Sequence, residues 1–292
     1  MAGLHIGNLP LPRRRFRLDL CIEPFETRAK SRREDRIRAN LLAKQTQYGS
    51  AEYRRWLRRV WRKLVANAPG TRKSTLASHA VWRRLRIRVV GHLWDLMVNS
   101  GYPTPKTVTI MPRGWDPTPD ELMAVDLPKL METLRADLNR CGAAKATGYL
   151  ALFIHSEWVE GKQRFQLHVH GVVAGGMVNV VRRLRKRPKY KAGATRGRVS
   201  VKSRVRLSNK PLSNMPDPIS YAVKGIWFWS KPFACDGKMR RRKQRSRMPE
   251  PFHSQSLLWL DRWGPKDIAL LIGIRVIKKG FSLTKHKQGV QP

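Results

Sequence analysis

The sequence predicts an α+β fold in which helices cover one face of an antiparallel sheet. Residues 165–173 alternate apolar and other side chains as a half-buried strand does, residues 148–158 also have the character of a strand, and Glu160-Gly161-Lys162 supplies a turn between them. Basic segments with apolar residues at helical spacing lie before and after this pair. We therefore expect a central sheet flanked by basic helical segments.

The charge of the chain indicates a polyanionic partner. The 292 residues include 60 Lys and Arg against 20 Asp and Glu, so the formal net charge is +40. A charge of this size repels itself unless a polyanion neutralises it, which makes nucleic acid the expected partner, although a ribosome-associated protein would have a similar composition. The three cysteines form no Cys-x-x-Cys pair, which argues against a zinc ribbon and favours a reducing compartment.

The first hundred residues are predicted to form a basic helical region. Apolar residues recur at helical spacing within residues 28–66 and over residues 81–98. Arginines on these helices either contact DNA phosphates or face solvent, and phosphate contacts would give affinity and salt dependence rather than sequence choice. The DNA-binding candidates fall in two groups, here and in a later basic helix: Arg54, Arg55, Arg58 and Arg59, then Arg182, Arg183, Arg185 and Lys186.

The remaining elements follow from periodicity and from Gly and Pro breaks. A Gly- and Pro-containing break at residues 101–105 precedes the central domain. The predicted elements are strands at 106–111 and 199–207, helices at 117–141 and 177–187, a helix starting at Asp217, a basic loop at 239–247, a helix at 252–263, and a helix or strand at 265–277. The predicted domains are residues 1–100, basic and helical, residues 101–235, and residues 236–292, a basic C-terminal helical extension and tail.

Two histidines in the second strand of the pair predict a metal site. His168 and His170 lie two residues apart, so in a strand both side chains project from the same face of the sheet. Val169 between them points to the opposite, apolar face. Two imidazoles one strand-step apart are spaced to share an ion, and we therefore expect a cation on this face.

The pairing of the two strands decides which other groups reach this site. A two-residue loop at Gly161 and Lys162, as in a type II′ hairpin, places His155 directly opposite His168 and brings Glu157 to the same face. A shift of the pairing by one residue would move these side chains to the wrong side of the sheet. The register is therefore a specific prediction.

The order of these elements resembles one known family. His168-Val169-His170-Gly171 lies on a strand, and Tyr221-Ala222-Val223-Lys224 lies on a later helix, where Tyr221 and Lys224, three residues apart, share a face. This arrangement resembles the HUH endonucleases, particularly the rolling-circle replication initiators of plasmids and single-stranded DNA phages. The strand Val108-Thr109-Ile110-Met111 resembles the family's first motif. The resemblance covers residues 106–229 and neither flank.

The resemblance implies a ferredoxin-like or RRM-like palm, with helices on one face of the sheet and the site on the other. It also implies one divalent ion, Mg²⁺ or Mn²⁺, bound by His168, His170 and a third ligand. His155 is favoured as that ligand by its position opposite His168. Glu157 is favoured because a carboxylate suits Mg²⁺ or Mn²⁺, so both candidates stay open.

The resemblance further implies a reaction. Tyr221 would attack the scissile phosphate of single-stranded DNA, leaving a 5′-phosphotyrosine and a free 3′-OH. Lys224 would stabilise the charge of the phosphotyrosine or position the DNA backbone. Such a replication initiator would act in the cytoplasm of a bacterial host on single-stranded DNA and an origin hairpin, with a host helicase and polymerase as further partners. The sequence contains no run of about 18 apolar residues, so we expect no membrane span.

Other functions are compatible with the same residues. A single-strand transposase or a mobilisation relaxase would use the same catalytic groups. A non-enzymatic protein could instead bind RNA or DNA through an RRM-like sheet, which requires exposed aromatic side chains for base stacking. On the histidine face of the predicted hairpin, Tyr149 and Phe153 are the aromatic residues available for that role.

Overall fold

A computed structural model describes residues 4–16, 27–66, 75–102, 105–192, 203–209, 212, 215–225, 227–229, 232–235, 238–241 and 246–284. The helices in these residues are α1 (Arg28–Gln45), α2 (Ala51–Val65), α3 (His79–Asn99), α4 (Pro119–Leu122), α5 (Leu127–Arg140), α6 (Met177–Leu184), α7 (Asp217–Ala222) and α8 (Phe252–Asp261). The strands are β1 (Lys106–Ile110), β2 (Tyr149–Val159), β3 (Arg164–Ala174), β4 (Val205–Leu207), β5 (Phe228–Trp229), β6 (Pro232–Cys235), β7 (Lys238–Arg241), β8 (Ser246–Arg247), β9 (Ala269–Ile272), β10 (Ile274–Ile277) and β11 (Gly280–Leu283).

An antiparallel sheet lies at the centre of the molecule. Five strands follow one another in the order β4-β1-β3-β2-β9, and each is antiparallel to its neighbours. The short strand β5 pairs in parallel with the end of β2, and β8 pairs antiparallel with β5. The predicted α+β class with an antiparallel sheet is thereby confirmed.

The β2–β3 hairpin has the predicted register but a different turn. His155 pairs with His168, as expected from a loop centred between Gly161 and Lys162. The connection is a 3₁₀ turn over Glu160–Lys162 followed by Gln163 in the left-handed region, with φ at 49°, rather than a two-residue turn. Because both loops share the same centre, the longer turn leaves the register unchanged.

Both faces of this hairpin are buried. On the apolar face, the ring of Trp158 stacks on Phe252 of α8, with 3.7 Å between centroids. On the histidine face, Tyr149 and Phe153 have no exposed surface, and α7 packs against β3. The prediction of helices on one face is therefore wrong, and the candidate site lies between the sheet and α7 rather than on an open sheet.

Two segments predicted as single helices are each divided. Residues 28–66 form α1 and α2, joined through Gly49, whose φ of 80° favours glycine. Residues 117–141 form α4 and α5, because the Asp126 side chain accepts a hydrogen bond from the Lys129 N–H and caps a new helix there. None of the described helices combines the length and apolarity that crossing a bilayer requires.

The main apolar core draws residues from all three predicted domains. Trp82 of α3, Val169 of β3 and Leu270 of β9 are each at most 1% exposed and belong to one cluster. A Cβ added to Gly225 would lie 2.3 Å from the Cβ of Trp82. The N-terminal region thus packs directly against the segment that follows α7.

The C-terminal segment contains more strand than predicted. The helix expected over residues 252–263 is α8, but the segment 265–277 contains β9 and β10, and β9 joins the central sheet. The basic run 239–247, predicted as a loop, includes most of β7 and all of β8. Of the strand predicted over 199–207, β4 is the described part, and residues 199–202 lie outside the described residues, as does the end of the predicted tail.

Candidate metal centre and tyrosine helix

His155, His168 and His170 lie together on one face of the β2–β3 hairpin. Each offers one ring nitrogen, and these three nitrogens all lie within 4.8 Å of one another. His155 is 6% and His168 4% exposed, whereas His170 is half-buried, so the cluster opens to solvent on the side of His170. A cation bonded at about 2 Å to each nitrogen requires nitrogens roughly 3–4 Å apart, so small side-chain movements suffice to enclose one.

Backbone carbonyls determine which nitrogen two of these histidines can offer. His168 Nδ1 lies 2.9 Å from the Gln166 carbonyl oxygen, and His155 Nε2 lies 3.0 Å from the Ala222 carbonyl oxygen. A carbonyl oxygen can only accept a hydrogen bond, so both of these nitrogens carry protons. In the neutral rings, His168 Nε2 and His155 Nδ1 therefore keep the lone pairs that a metal ion needs.

His170 is oriented from the neighbouring strand. Its Nε2 lies 2.9 Å from His168 Nε2, and its Nδ1 lies 2.7 Å from Thr109 Oγ1 on β1. A cation would displace a proton shared between the two Nε2 atoms and thereby change the tautomer of His170. Because a hydroxyl both donates and accepts, Thr109 can bond to either tautomer.

Glu157 lies outside this cluster. It is half-buried and pairs with Gln166, one strand-step from His155. Of the two candidates for a third ligand, the geometry brings His155 to His168 and His170 and leaves Glu157 aside. A set of three imidazoles favours ions that accept nitrogen donors, and Mg²⁺, which prefers oxygen, fits it poorly.

Tyr221 reaches the histidine cluster from α7. Its ring centroid lies 5.2 Å from that of His170 and 6.1 Å from that of His155, and the side chain is partly exposed. α7 ends at Ala222, so the prediction that Lys224 lies on the helix is wrong. Lys224 nevertheless lies beside the tyrosine, with its Nζ 4.0 Å from the centre of the Tyr221 ring.

Two buried arginines that the sequence did not single out hold this segment. Arg86 of α3 donates from Nε to the Ser220 carbonyl oxygen at 3.2 Å and from Nη2 to Ser220 Oγ at 2.6 Å. Arg38 of α1 donates to the carbonyl oxygens of Ala77 and Gly225 at 2.6 and 3.0 Å. Guanidinium groups thus fix the chain on both sides of Tyr221 and Lys224.

The charge of Arg38 is compensated within the protein. Burial lowers the pKa of its guanidinium, and the Glu34 carboxylate, 3.1 Å from Arg38 Nε, acts in the opposite direction. Glu34 also accepts from Arg247 Nη2 at 2.5 Å. Because Arg38 and Arg247 lower the pKa of Glu34 against the effect of burial, Glu34 stays ionised and Arg38 stays charged.

A weak signal for Arg86 was present in the sequence. It stands four residues after Trp82 and three before Val89, on the apolar face of α3. An arginine at such a position is expected to be buried and to bond to polar groups. In a chain with 60 Lys and Arg, this positional signal is easily lost among solvated arginines.

The predicted DNA-binding residues lie in the two expected helical regions. On α2, Arg55, Arg58 and Arg59 are exposed, whereas Arg54 is half-buried and donates to the Gly49 carbonyl oxygen at 2.8 Å. The second group is exposed on α6 and immediately after it: Arg182, Arg183, Arg185 and Lys186. Their exposure leaves these cations accessible to a polyanion.

Comparison with known proteins finds no relative of this chain. No protein-family model, no curated protein and no solved structure matches the chain.

Proposed function

We propose that this protein is a metal-dependent nuclease that cuts single-stranded DNA through Tyr221 and thereby starts rolling-circle replication. The observation that supports this most strongly is the proximity of a partly exposed tyrosine to a three-histidine cluster, with 5.2 Å between the ring centres of Tyr221 and His170. The order and spacing of the His168–Gly171 and Tyr221–Lys224 motifs along the chain also support a tyrosine-dependent nuclease.

The three histidines would bind the catalytic ion. A divalent cation there would polarise the scissile phosphate and neutralise the charge that develops on its oxygens. In His155 and in His168, one ring nitrogen donates a hydrogen bond to a backbone carbonyl oxygen. The other nitrogen of each ring therefore points its lone pair away from that carbonyl. This arrangement favours a preformed site, which reduces the reorganisation needed when an ion binds.

Tyr221 supplies the nucleophile in this mechanism. Its oxygen bonds to phosphorus while the bond from phosphorus to the 3′ oxygen breaks, so the phenol loses its proton and the leaving 3′ oxygen gains one. The product is a 5′-phosphotyrosine, and because one phosphodiester replaces another, rejoining needs no ATP. Lys224, 4.0 Å from the ring centre, provides a positive charge that stabilises the phenolate as it forms.

The alternative of base stacking on an RRM-like sheet is not favoured. Tyr149 and Phe153, the aromatic residues that would have to stack on bases, are fully buried. A single-strand transposase or a mobilisation relaxase would share the chemistry proposed here, and the identity of the cleaved sequence would distinguish these enzymes from a replication initiator.

The test is a search for the covalent intermediate. The protein is incubated with Mn²⁺ and a pool of random single-stranded DNA with and without hairpins, and tyrosine–DNA adducts are identified by mass spectrometry. We expect an adduct at Tyr221 that Tyr221→Phe abolishes without weakening DNA binding. Tyr48→Phe, at a tyrosine that is 62% exposed, is the matched control and should keep the adduct. Absence of any Tyr221 adduct would exclude this mechanism.

A further inference from the structure

A groove beside α2 is lined by side chains that take no part in the metal centre. Its volume is about 370 Å³, within the usual range of ligand pockets. α2, α8 and the residue after α4 provide its apolar wall: Trp56, Val60, Met123 and Leu258. Trp56 is 36% exposed, so part of its ring is free to contact a ligand.

Three charged side chains also line the groove: the carboxylate of Asp261 and the guanidinium groups of Arg59 and Arg262. Asp261 is held by Lys63, whose Nζ lies 2.7 Å from Oδ1, and Arg59 Nε lies 3.6 Å from Oδ2. A carboxylate repels a phosphate but accepts hydrogen bonds from the amino groups of nucleobases. Because Trp56 and aliphatic side chains form one wall of the groove and Asp261 offers an acceptor, the groove suits a flat, neutral group that carries a donor.

The surroundings of the groove suit phosphates instead. α2 also carries exposed arginines that do not line the groove, Arg55, Arg58 and Arg62, and the side chain of Arg59, which does line it, is 66% exposed. A strand of nucleic acid laid along α2 would place its phosphates against these cations while a base turns into the groove. A duplex could not do so, because its base faces are stacked and covered.

We propose that this groove binds an unpaired nucleobase of single-stranded nucleic acid, stacked on Trp56 with its amino group toward Asp261. The proposal rests on the proposed function for its ligand, single-stranded DNA. It adds a contact to a base, which the arginines alone do not supply, and base–aromatic stacking tolerates any sequence. Complementary charge along α2 is the reason to choose nucleic acid over a protein partner.

The test separates base contacts from phosphate contacts. Binding is measured by fluorescence anisotropy with a labelled oligonucleotide and an abasic strand of the same length. Every protein carries Tyr221→Phe and the buffer contains EDTA, so no cleavage is needed. We expect the protein with an intact groove to bind the abasic strand at least about 5-fold more weakly than the ordinary strand. Trp56→Ala should lower the affinity for the ordinary strand by about 5- to 150-fold and leave the affinity for the abasic strand unchanged.

Matched variants keep the result interpretable. Trp61→Ala removes a tryptophan on the same helix that is 37% exposed and does not line the groove, so it should bind normally. Trp56→Phe keeps an aromatic ring and should retain most of the affinity even where Trp56→Ala fails to fold. Since stacking involves no phosphate, Trp56→Ala should leave the salt dependence of binding unchanged.

Three outcomes would overturn the proposal: equal binding of ordinary and abasic strands, equal losses in Trp56→Ala and Trp61→Ala, or a dimer that Trp56→Ala dissociates in sedimentation. The last would make the groove an interface between copies of the chain. Because binding is measured without cleavage, failure here leaves the Tyr221 adduct experiment unaffected, and failure of that experiment leaves this one valid.

Discussion

Thr109 and the carbonyl groups of Gln166 and Ala222 hold the three histidines of the candidate metal centre in place. Each bonds to one ring nitrogen, at 2.7, 2.9 and 3.0 Å respectively, and so directs the other nitrogen toward the cluster. Outer groups of this kind set the tautomer and the basicity of metal ligands. The Ala222 carbonyl also links the site to the tyrosine, because Ala222 follows Tyr221 in the chain.

The identity of the third metal ligand can be tested by substituting His155 and Glu157 separately. His155→Ala should raise the Mn²⁺ concentration needed for half-maximal cleavage by more than the ~10- to 100-fold typical of outer-shell changes, since it removes a donor outright. Glu157→Gln, which keeps the shape of the side chain, should leave that concentration nearly unchanged because Glu157 lies outside the cluster. The measurement is a Mn²⁺ titration of oligonucleotide cleavage, with thermal melts to check folding. The reverse pattern would assign the site to Glu157.

The histidine pair could be predicted from the sequence because a strand repeats every two residues, and His155 followed once the register was chosen. Thr109 could not be identified in this way. It lies 61 positions from His170, on a strand whose pairing partner the local pattern does not specify. The pairing of β1 with β3, which places Thr109 opposite His170, gives Thr109 this role.

At the scale of elements, the position of α7 depends on helices far away in the chain. α7 has only six residues, too few to be stable alone, so its orientation must come from its contacts. Arg86 bonds to both the carbonyl and the hydroxyl oxygen of Ser220, the residue before Tyr221. We therefore regard Arg86 as a positioning residue for the nucleophile.

Arg86→Lys should slow cleavage more than it weakens DNA binding. Lysine keeps the charge but cannot reproduce the two-pronged contact with Ser220, and a nucleophile displaced by about 1 Å can cost on the order of 10²-fold in rate. Single-turnover cleavage and anisotropy binding measure the two quantities separately. The control is Arg84→Lys, at an exposed position of the same helix. A variant that lost affinity and rate equally would show that Arg86 has no specific positioning role.

The elements whose nature the sequence predicted well include the two long strands that a turn joins. β3 alternates polar and apolar side chains from Arg164 to His170, β2 begins with a long apolar run, and both lie within one residue of their predicted bounds. The strand character of residues 269–277 was left open, because a short aliphatic run is compatible with a buried helix or a strand. The pairing of β9 with β2, more than a hundred residues earlier, and of β10 with β11 decides the outcome.

Across the whole molecule, the basic residues fall into a buried group and an exposed group. Arg38 and Arg86 are 1% and 5% exposed and hold the chain around Tyr221, whereas Arg55 and Arg58 of α2 are exposed. The net charge of +40 predicts a polyanionic partner but does not distinguish these two groups. That distinction requires the packing of α1 and α3 against the rest of the chain.

A local role for α2 can be separated from the effect of total charge. Arg55→Gln combined with Arg58→Gln should weaken single-stranded DNA binding and reduce the slope of log affinity against log salt by about 0.7 for each lost phosphate contact. Lys278→Gln combined with Lys279→Gln removes the same charge from exposed positions between β10 and β11. We expect this control to change the slope little.

The comparison works because the two effects respond differently to salt. Exposed charges that do not touch the nucleic acid act at a distance, and that action is screened over roughly 8–10 Å at moderate ionic strength. Residues in contact with phosphates release bound counterions, which sets the slope itself. In a plot of log affinity against log salt, the lysine variant should therefore give a line parallel to that of the unsubstituted protein. The arginine variant should give a flatter line. Equal slopes for both would mean that α2 attracts nucleic acid only through the overall charge of the protein.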